Sequence, residues 1–301
     1  MSGHPATRCG MVAIVGRPNV GKSTLLNRLL GQKISITSRK PQTTRHRILG
    51  IRTIGGDQIV FVDTPGIHAA SAKALNRAMN RQAAQALVGV DLILFVVEAG
   101  KWTEADAHAL ASIRLPEAPM FLVVNKVDRV ADKAALLPFL EQAGKQGAFA
   151  ELVPVAARSG NNLETLEKLI LDRLPSRPHL FPEDQVTDRS ERFLVAEIIR
   201  EKLFRLLGQE LPYSTTVLVE RFAEESGHVH IDATIWVDRP GQKPIVVGKG
   251  GAMLKKVGEQ ARKDIQGLLG RKVYLQTWVK VKENWADDAL LLARSGLDSR
   301  G

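Results

Sequence analysis

Cysteine is almost missing from this chain: 301 residues carry one, Cys9. A single thiol allows no internal disulfide, which excludes the cystine-stapled secreted scaffolds and favours a reducing, cytoplasmic setting. Long apolar runs are missing too. None approaches the ~20 residues a membrane-spanning helix requires. The opening decapeptide, MSGHPATRCG, has no apolar stretch, so no secretory signal is expected. There is no internal repeat and no low-complexity tract. Acids are in deficit: 32 Asp and Glu face 42 Lys and Arg, a formal charge of +10. The deficit is local. Arg28 to Arg52 holds seven basic residues and no acid, and Arg239 to Lys282 holds eleven against Glu259 and Asp264. A well-solvated surface tolerates such a sum. Charge of one sign concentrated in a segment makes a field suited to nucleic acid or an anionic membrane surface.

Apolar content of 44% and charged content of 25% are ordinary for a globular chain, and the length suits two domains. From Met11 onward, MVAIVG, IVFVDT, LILFVVEA, MFLVVNK and LVPVAA read as strands buried on both faces. STLLNRLLG, KALNRAMNRQAAQAL and ETLEKLILDRL lie between them as helices. This alternation predicts an α/β domain over residues 1–174 with a doubly wound, mostly parallel sheet. PSRPHLFPED has three prolines in ten residues, so 175–188 is read as a linker. An α+β domain is expected over 189–282. SERFLVAEIIREKLFRLL is an amphipathic helix capped by Ser190 or Asp188. YSTTVLVERF and HVHIDATIWVD are a strand pair. PIVVG, a glycine loop, AMLKKVGEQARKDIQGLLG and RKVYLQTWVKV follow as short helix, loop, helix and strand. Trp236 and Trp278 are assigned to the core. His228 and His230 are assigned to a polar face, because no third metal ligand accompanies them. The polar tail, 283–301, is expected to be partly mobile.

GRPNVGKST follows the first strand and opens a helix, the context a phosphate loop requires. Gly16, Asn19, Val20, Gly21, Lys22, Ser23 and Thr24 would hold nucleotide phosphates, with Lys22 on the β- and γ-phosphates and the Ser23 hydroxyl on Mg²⁺. In DTPG, Asp63 is a second Mg²⁺ ligand, and the Gly66 N–H faces the γ-phosphate. In NKVD, Asp128 accepts from guanine N1 and N2, a donor pair adenine lacks, while Asn125 and Lys126 buttress loop and base. Each motif ends a strand, where an open α/β sheet binds ligands.

These motifs resemble those of translation-factor-related GTPases, and PQTTRHRILG resembles the first switch of the Era-like families. The resemblance implies that Thr44, or the adjacent Thr43, closes on Mg²⁺ and the γ-phosphate, and that Thr64, Pro65 and Ile67 belong to the second switch. The base-edge motif is Ala156-Ala157-Arg158-Ser159-Gly160. Its usual serine is replaced by Ala156, while the Ala157 N–H is expected on guanine O6. Ile67 stands where Ras-like proteins carry a water-orienting glutamine, so intrinsic GTP hydrolysis is expected to be slow. A non-catalytic, nucleotide-gated RNA scaffold is the alternative. Asn19 is the residue that potassium-activated relatives use toward K⁺.

The second glycine loop, GKGG, has no hydroxyl after its lysine and no long strand before it. VVGKGGAML resembles the core of a KH domain, and the element order is that of type II KH modules. Gly248, Lys249, Gly250, Gly251, Lys255, Lys256 and Arg262 would then clamp an RNA backbone. Val246, Val247 and Leu254 line a groove or fill the core. A GTPase domain followed by such a module is the Era-family layout. It implies binding to the 3′ end of 16S rRNA and the 30S subunit, a role in ribosome biogenesis, a monomeric state, and peripheral attachment at the inner face of the cell membrane. Nucleotide-driven ordering would reposition the charges of Arg39, Lys40, Arg45 and Arg47.

Overall fold

The computed structural model describes residues 7–38, 43–65, 74–113, 118–208, 211–225 and 227–296. The chain divides into two compact units. The first takes the described residues of Met1–Ser35, His46–Ala69 and Asn80–Asp188; the second takes those of Ile36–Arg45, Ala70–Met79 and Arg189–Gly301.

In the first unit, a six-stranded sheet runs in the order β2 (Ile48–Ile54), β3 (Asp57–Asp63), β1 (Cys9–Val15), β4 (Leu92–Glu98), β5 (Met120–Asn125), β6 (Glu151–Pro154). All neighbours are parallel except β2 and β3. Val12–Val15, Ile59–Val62 and Leu92–Val97 are at most 1% exposed, because helices of a doubly wound sheet cover both faces. Its helices are α1 (Lys22–Leu30), α3 (Glu104–Ala111), α4 (Leu136–Gly144), α5 (Leu163–Arg173) and the second half of α2 (Ala74–Gln85), whose first half counts with the second unit. From β1 the chain moves to β3 on one side and β4 on the other. The switch point of the sheet therefore lies at the end of β1, where GRPNVGKST begins.

Two features depart from the sequence reading. Strand β2, ILGIRTI, was not among the expected strands, since a glycine and an arginine break its apolar pattern. The Gly55-Gly56 turn joining it to β3, with Gly55 at φ 60°, is the hairpin signal that marks it. The proline-rich segment does not behave as a free spacer. Pro175 O accepts from Cys9 N (3.0 Å), Val186 O from Ile51 N (2.8 Å), and Gln58 Oε1 from Leu180 N and Phe181 N (both 3.0 Å). Proline removes donors where it stands, and the remaining N–H groups together with the carbonyls of the segment bind it to the first unit. Asp188 is committed there as well, accepting from Leu49 N at 3.1 Å.

The second unit contains α6 (Glu191–Leu206), β7 (Thr215–Glu225), β8 (His228–Val237), α7 (Gln242–Val247), α8 (Ala252–Leu269), β9 (Lys272–Val281) and α9 (Ala289–Arg294). Ser190 caps α6, accepting from Phe193 N at 3.3 Å. The sheet order is β7-β8-β9, with the first pair antiparallel and the second parallel. Helix–strand–strand–helix–helix–strand is the type II KH order. Val229, Ile231, Ala233, Ile235 and Val237 alternate along β8 onto one face. Val257, Ala261 and Ile265, one per turn of α8, meet them together with Val195 and Ile199 of α6. Val246 is fully buried in this core; Val247 and Leu254 pack at its margin.

The tail is packed as far as it is described. Trp285 is 1% exposed and its indole N–H donates to Ser214 O at 2.8 Å. Leu291 and Leu292 of α9 are buried beside it, and Asp288 caps that helix, accepting from Leu291 N at 2.7 Å. Trp and Leu within ENWADDALLLAR outweigh its polar average. Trp278 is no core residue, since 44% of it is exposed, while Trp236 is partly buried.

Candidate functional site

At the end of β1 the backbone bends through left-handed conformations, two of which admit only glycine. Gly16 sits at φ 142°, where a Cβ would lie 2.3 Å from Val96 O. Gly21 sits at φ 106°, where a Cβ would lie 2.3 Å from Asn125 Nδ2. Between them Asn19 is left-handed, at φ 67°. Helix α1 starts at Lys22, so the loop ends on a helix N-terminus whose N–H groups favour anions. The Lys22 ammonium is buried and donates to Gly16 O (2.8 Å) and Arg17 O (2.9 Å). Burial pushes its pKa down to about 8, with Asp63 pulling the other way. An arriving polyphosphate would restore the charged form.

Asp63, at the end of β3, is fully buried. Its Oδ2 accepts from Ser23 Oγ (3.1 Å) and Ser35 Oγ (2.8 Å), while Oδ1 is buried without a partner. Burial raises its pKa above the ordinary carboxylate range, and the hydroxyl of Ser35 opposes this. A carboxylate with one unmatched oxygen, flanked by hydroxyls, is a hard all-oxygen donor set of the kind Mg²⁺ takes. These residues fit the ion. Thr64 is occupied otherwise: its Oγ1 donates to Ile14 O at 3.0 Å and fastens β3 to β1. Pro65 is buried; Gly66 and Ile67 lie outside the described residues.

The NKVD motif is tied to the phosphate loop from across the sheet. Asn125 Nδ2 donates to Val20 O (2.8 Å), and its Oδ1 accepts from Lys126 N (2.8 Å) and Ala157 N (3.0 Å). The Ala157 N–H, expected to await guanine O6, is thus already engaged. Lys126, left-handed at φ 66°, reaches Asn19 O (2.7 Å) and Glu98 Oε2 (2.9 Å). Asp128 is exposed on the short turn that follows. The base-edge loop is held by Ser159 Oγ on Ala156 O (3.3 Å) and by Arg28, which donates to Arg158 O (2.6 Å). The structure therefore gathers the phosphate loop, Asp63, Asn125, Lys126 and the Ala156–Arg158 turn at one edge of one sheet.

In the second unit, GKGG joins α7 to α8. Gly248 sits at φ 76°, ψ 171°, where a Cβ would lie 2.8 Å from Met253 N. Backbone forbids a side chain there. Gly250 and Gly251, at φ 59° and 82°, face open space, so a ligand backbone can approach. Lys249, Lys255, Lys256 and Arg262 are exposed on and after the loop.

Residues 11–126 match the model of a family described as 50S ribosome-binding GTPase, and residues 210–286 match the KH domain. GTPase Era of Pseudomonas aeruginosa is 55% identical over 290 residues, covering 96% of this chain and 95% of the relative. GTPase Era of Pseudomonas fluorescens is 54% identical over 98% of this chain and 99% of its own length. The chain belongs to the Era family of GTPases. A crystal structure of Aquifex aeolicus Era bound to GDP and aluminium fluoride superposes with a TM-score of 0.93 at 40% identity, covering 97% and 99% of the two chains. A structure of Era with MgGDPNP and nucleotides 1506–1542 of 16S ribosomal RNA matches equally, with the same score, identity and coverage.

In this Era-family chain the described residues of Ile36–Arg45, which overlap the start of the expected first switch, 41–50, belong to the KH-containing unit, while 46–50 belong to the first. Glu201 Oε1 accepts from Thr37 N (2.9 Å) and Thr37 Oγ1 (3.3 Å). Arg205 donates to Thr37 O (3.2 Å), and Arg200 donates to Thr43 O (2.5 Å). Thr43 Oγ1 pairs with Ser38 Oγ (2.8 Å), and Thr44 is buried. Arg45, expected as a charge to be repositioned, is 2% exposed. It donates to Thr215 O (2.8 Å) and Tyr213 O (3.1 Å), with Phe204 and Trp285 rings 5.7 and 5.6 Å away. Among the described residues of the basic run from Arg28 to Arg52, Arg28 and Arg45 donate to carbonyls, and Arg52 pairs with Glu167 at 3.0 Å. Arg39 and Lys40 lie outside the described residues.

Sequence reasoning missed Asn27. Its amide donates to Ser35 O (2.7 Å) and accepts from Ile34 N and Ser35 N (both 3.0 Å), clamping the entry to the switch. It also missed the Arg17–Asp106 pair behind the phosphate loop, 2.9 Å long with Asp106 fully buried. No motif marks either: Asn27 bonds the loop seven and eight residues on, and Asp106 is brought to Arg17 from 89 positions away. Asn125 and Asp128 separate structure from recognition. Asn125→Ala removes three bonds and leaves buried groups unmatched, so it should lower nucleotide-free stability by about 2–4 kcal/mol as well as GDP affinity. Asp128→Ala should lower GDP affinity and leave the melting temperature unchanged. Thermal unfolding and GDP titration of both variants check this.

Proposed function

We propose that this chain is a GTP-gated RNA-binding protein of small-subunit assembly, which captures the 3′ end of 16S rRNA through its KH module and turns GTP over slowly. The observation that carries the reading is the membership of Ile36–Arg45 in the KH-containing unit. The segment that a γ-phosphate would order is the one the RNA-binding unit holds. The solved Era complex with MgGDPNP and a 16S fragment supports the choice of ligands.

In this reading the loop from Gly16 to Thr24 wraps the phosphates with its N–H groups, and Lys22 leaves its carbonyl partners for the β- and γ-phosphates. Ser23, Asp63 and one of Thr43 or Thr44 hold Mg²⁺. The chemistry such an ion supplies is neutralisation of charge on the phosphate oxygens. Asn125 and Lys126 hold the base-side wall rigid while Asp128 reads guanine. Drawing Thr43 or Thr44 to the nucleotide costs the bonds that Arg200 and Glu201 make to that segment. The GTP state and the RNA-binding unit would be coupled through that competition. The protein works in the cytoplasm, as a monomer. Contact with the inner face of the cell membrane rests only on the exposed basic residues of α8, and the open glycine loop favours RNA as their partner.

The two glycine loops should separate cleanly by mutation. Gly250→Asp with Gly251→Asp should abolish binding of a 16S 3′-end strand and leave GTP affinity unchanged, while Lys22→Ala should do the reverse; loss of both ligands in either variant would contradict the assignment. Asn19 is proposed as a K⁺ ligand beside the triphosphate. GTPase rates at matched ionic strength should then be modestly higher in K⁺ than in Na⁺, and equal rates would remove this role.

A further inference from the structure

Helices α6 and α8 cover one face of the second sheet, and Trp285 and α9 cover the Leu218 end of the other. The remainder of that outer face is edged by β9. Strand alternation sets Lys272, Tyr274, Gln276, Trp278 and Lys280 along it, and all five are exposed. Tyr274 is 50% and Trp278 44% exposed, and among the described residues these are the two strongly exposed aromatic rings. Chance scatter does not put both on one strand face.

The stripe is also ordered. The Tyr274 ring lies 5.3 Å from that of His230, its register partner on β8, and Gln276 Nε2 donates to the Tyr274 hydroxyl at 2.9 Å. Lys280 Nζ sits 5.8 Å from the Trp236 ring. Of the five β8 residues in register with the stripe, one, Asp232, is acidic.

We propose that this stripe is a second RNA contact: a platform on which bases of a single strand stack beyond the nucleotides clamped by the glycine loop. The proposal rests on the RNA reading of that loop. Two rings about 13 Å apart along one strand, with an amide between them and a lysine at each end, match alternate bases of an extended strand, the edge of the base between them and flanking phosphates. An apolar protein partner would have to bury Lys272, Gln276 and Lys280 against its own surface. Added-strand pairing at the β9 edge is opposed by the same lysines. Single-stranded RNA offers π faces and negative charge together.

The test uses the full chain and two oligoribonucleotides from the 3′ end of 16S rRNA, about 4 and about 12 nucleotides long, the shorter enough only for the glycine loop. Tyr274→Ala/Trp278→Ala should melt like the wild type, since both rings are exposed. It should bind the short strand as the wild type does and the long strand roughly tenfold or more weakly. Unchanged affinity for the long strand, which would leave the stripe to a protein partner, overturns the platform. So does an equal loss on both lengths, which would place the rings in the loop's own site. Failure of the wild type to bind either strand would instead remove the RNA reading of the loop.

Discussion

The arrangement depends on a set of buried charges on one helix. Glu197, Arg200, Glu201 and Lys202 of α6 are each at most 4% exposed. Burying charge is costly unless every group is matched. Arg200 Nε and Nη2 are met by both oxygens of Glu197 (2.7 and 2.6 Å) and by Thr43 O, while its Nη1 is buried without a partner. Glu201 is met by the Thr37 backbone and Arg205, and Lys202 by Asp264 on α8. Removing the segment would strip Arg200 of the Thr43 carbonyl and Glu201 of the Thr37 donors, leaving each with fewer partners in a dry environment. Its attachment to the KH-containing unit therefore stabilises the buried charges of the helix, and a nucleotide that pulls the segment away must offset those bonds. Because Lys202 reaches α8, whose first residue follows the glycine loop, the same helix touches both the switch and the RNA-binding element.

Glycine and lysine recur in the two loops for different reasons. In GRPNVGKST, Gly16 and Gly21 are needed because Val96 and Asn125 press against the backbone, which closes the loop around something small. In GKGG only Gly248 is pressed, by Met253, while Gly250 and Gly251 open outward. The first lysine is buried and depressed in pKa; the second is exposed. One loop is shaped for a polyphosphate inside a sheet edge, the other for a chain passing over a surface.

Much of this was legible beforehand. Strands β1 and β3 to β6 showed as apolar runs because both faces are covered, and the three nucleotide motifs showed because their chemistry fixes residue types at fixed spacing. What stayed hidden is what tertiary structure decides. Strand β2 lies at a sheet edge and carries mixed residues. Helix α6 read as ordinary amphipathic, yet its charged side is buried, because its partner is the backbone of a segment some 160 positions away in the chain. Arg45 read as a mobile charge for the same reason. The proline segment and the tail read as loose from composition, whereas backbone hydrogen bonds hold the first and buried Trp285, Leu291 and Leu292 hold the second. Trp278 read as core because strand alternation alone does not say which face is covered.

The central claim is that nucleotide and RNA bias one switch segment, and binding linkage tests it without reference to rates. The affinity of the full chain for a 16S 3′-end strand should differ between a GTP analogue and GDP by roughly 5- to 150-fold, and the RNA should change the ratio of analogue to GDP affinity by the same factor. Equal RNA affinity in the two nucleotide states would contradict the account.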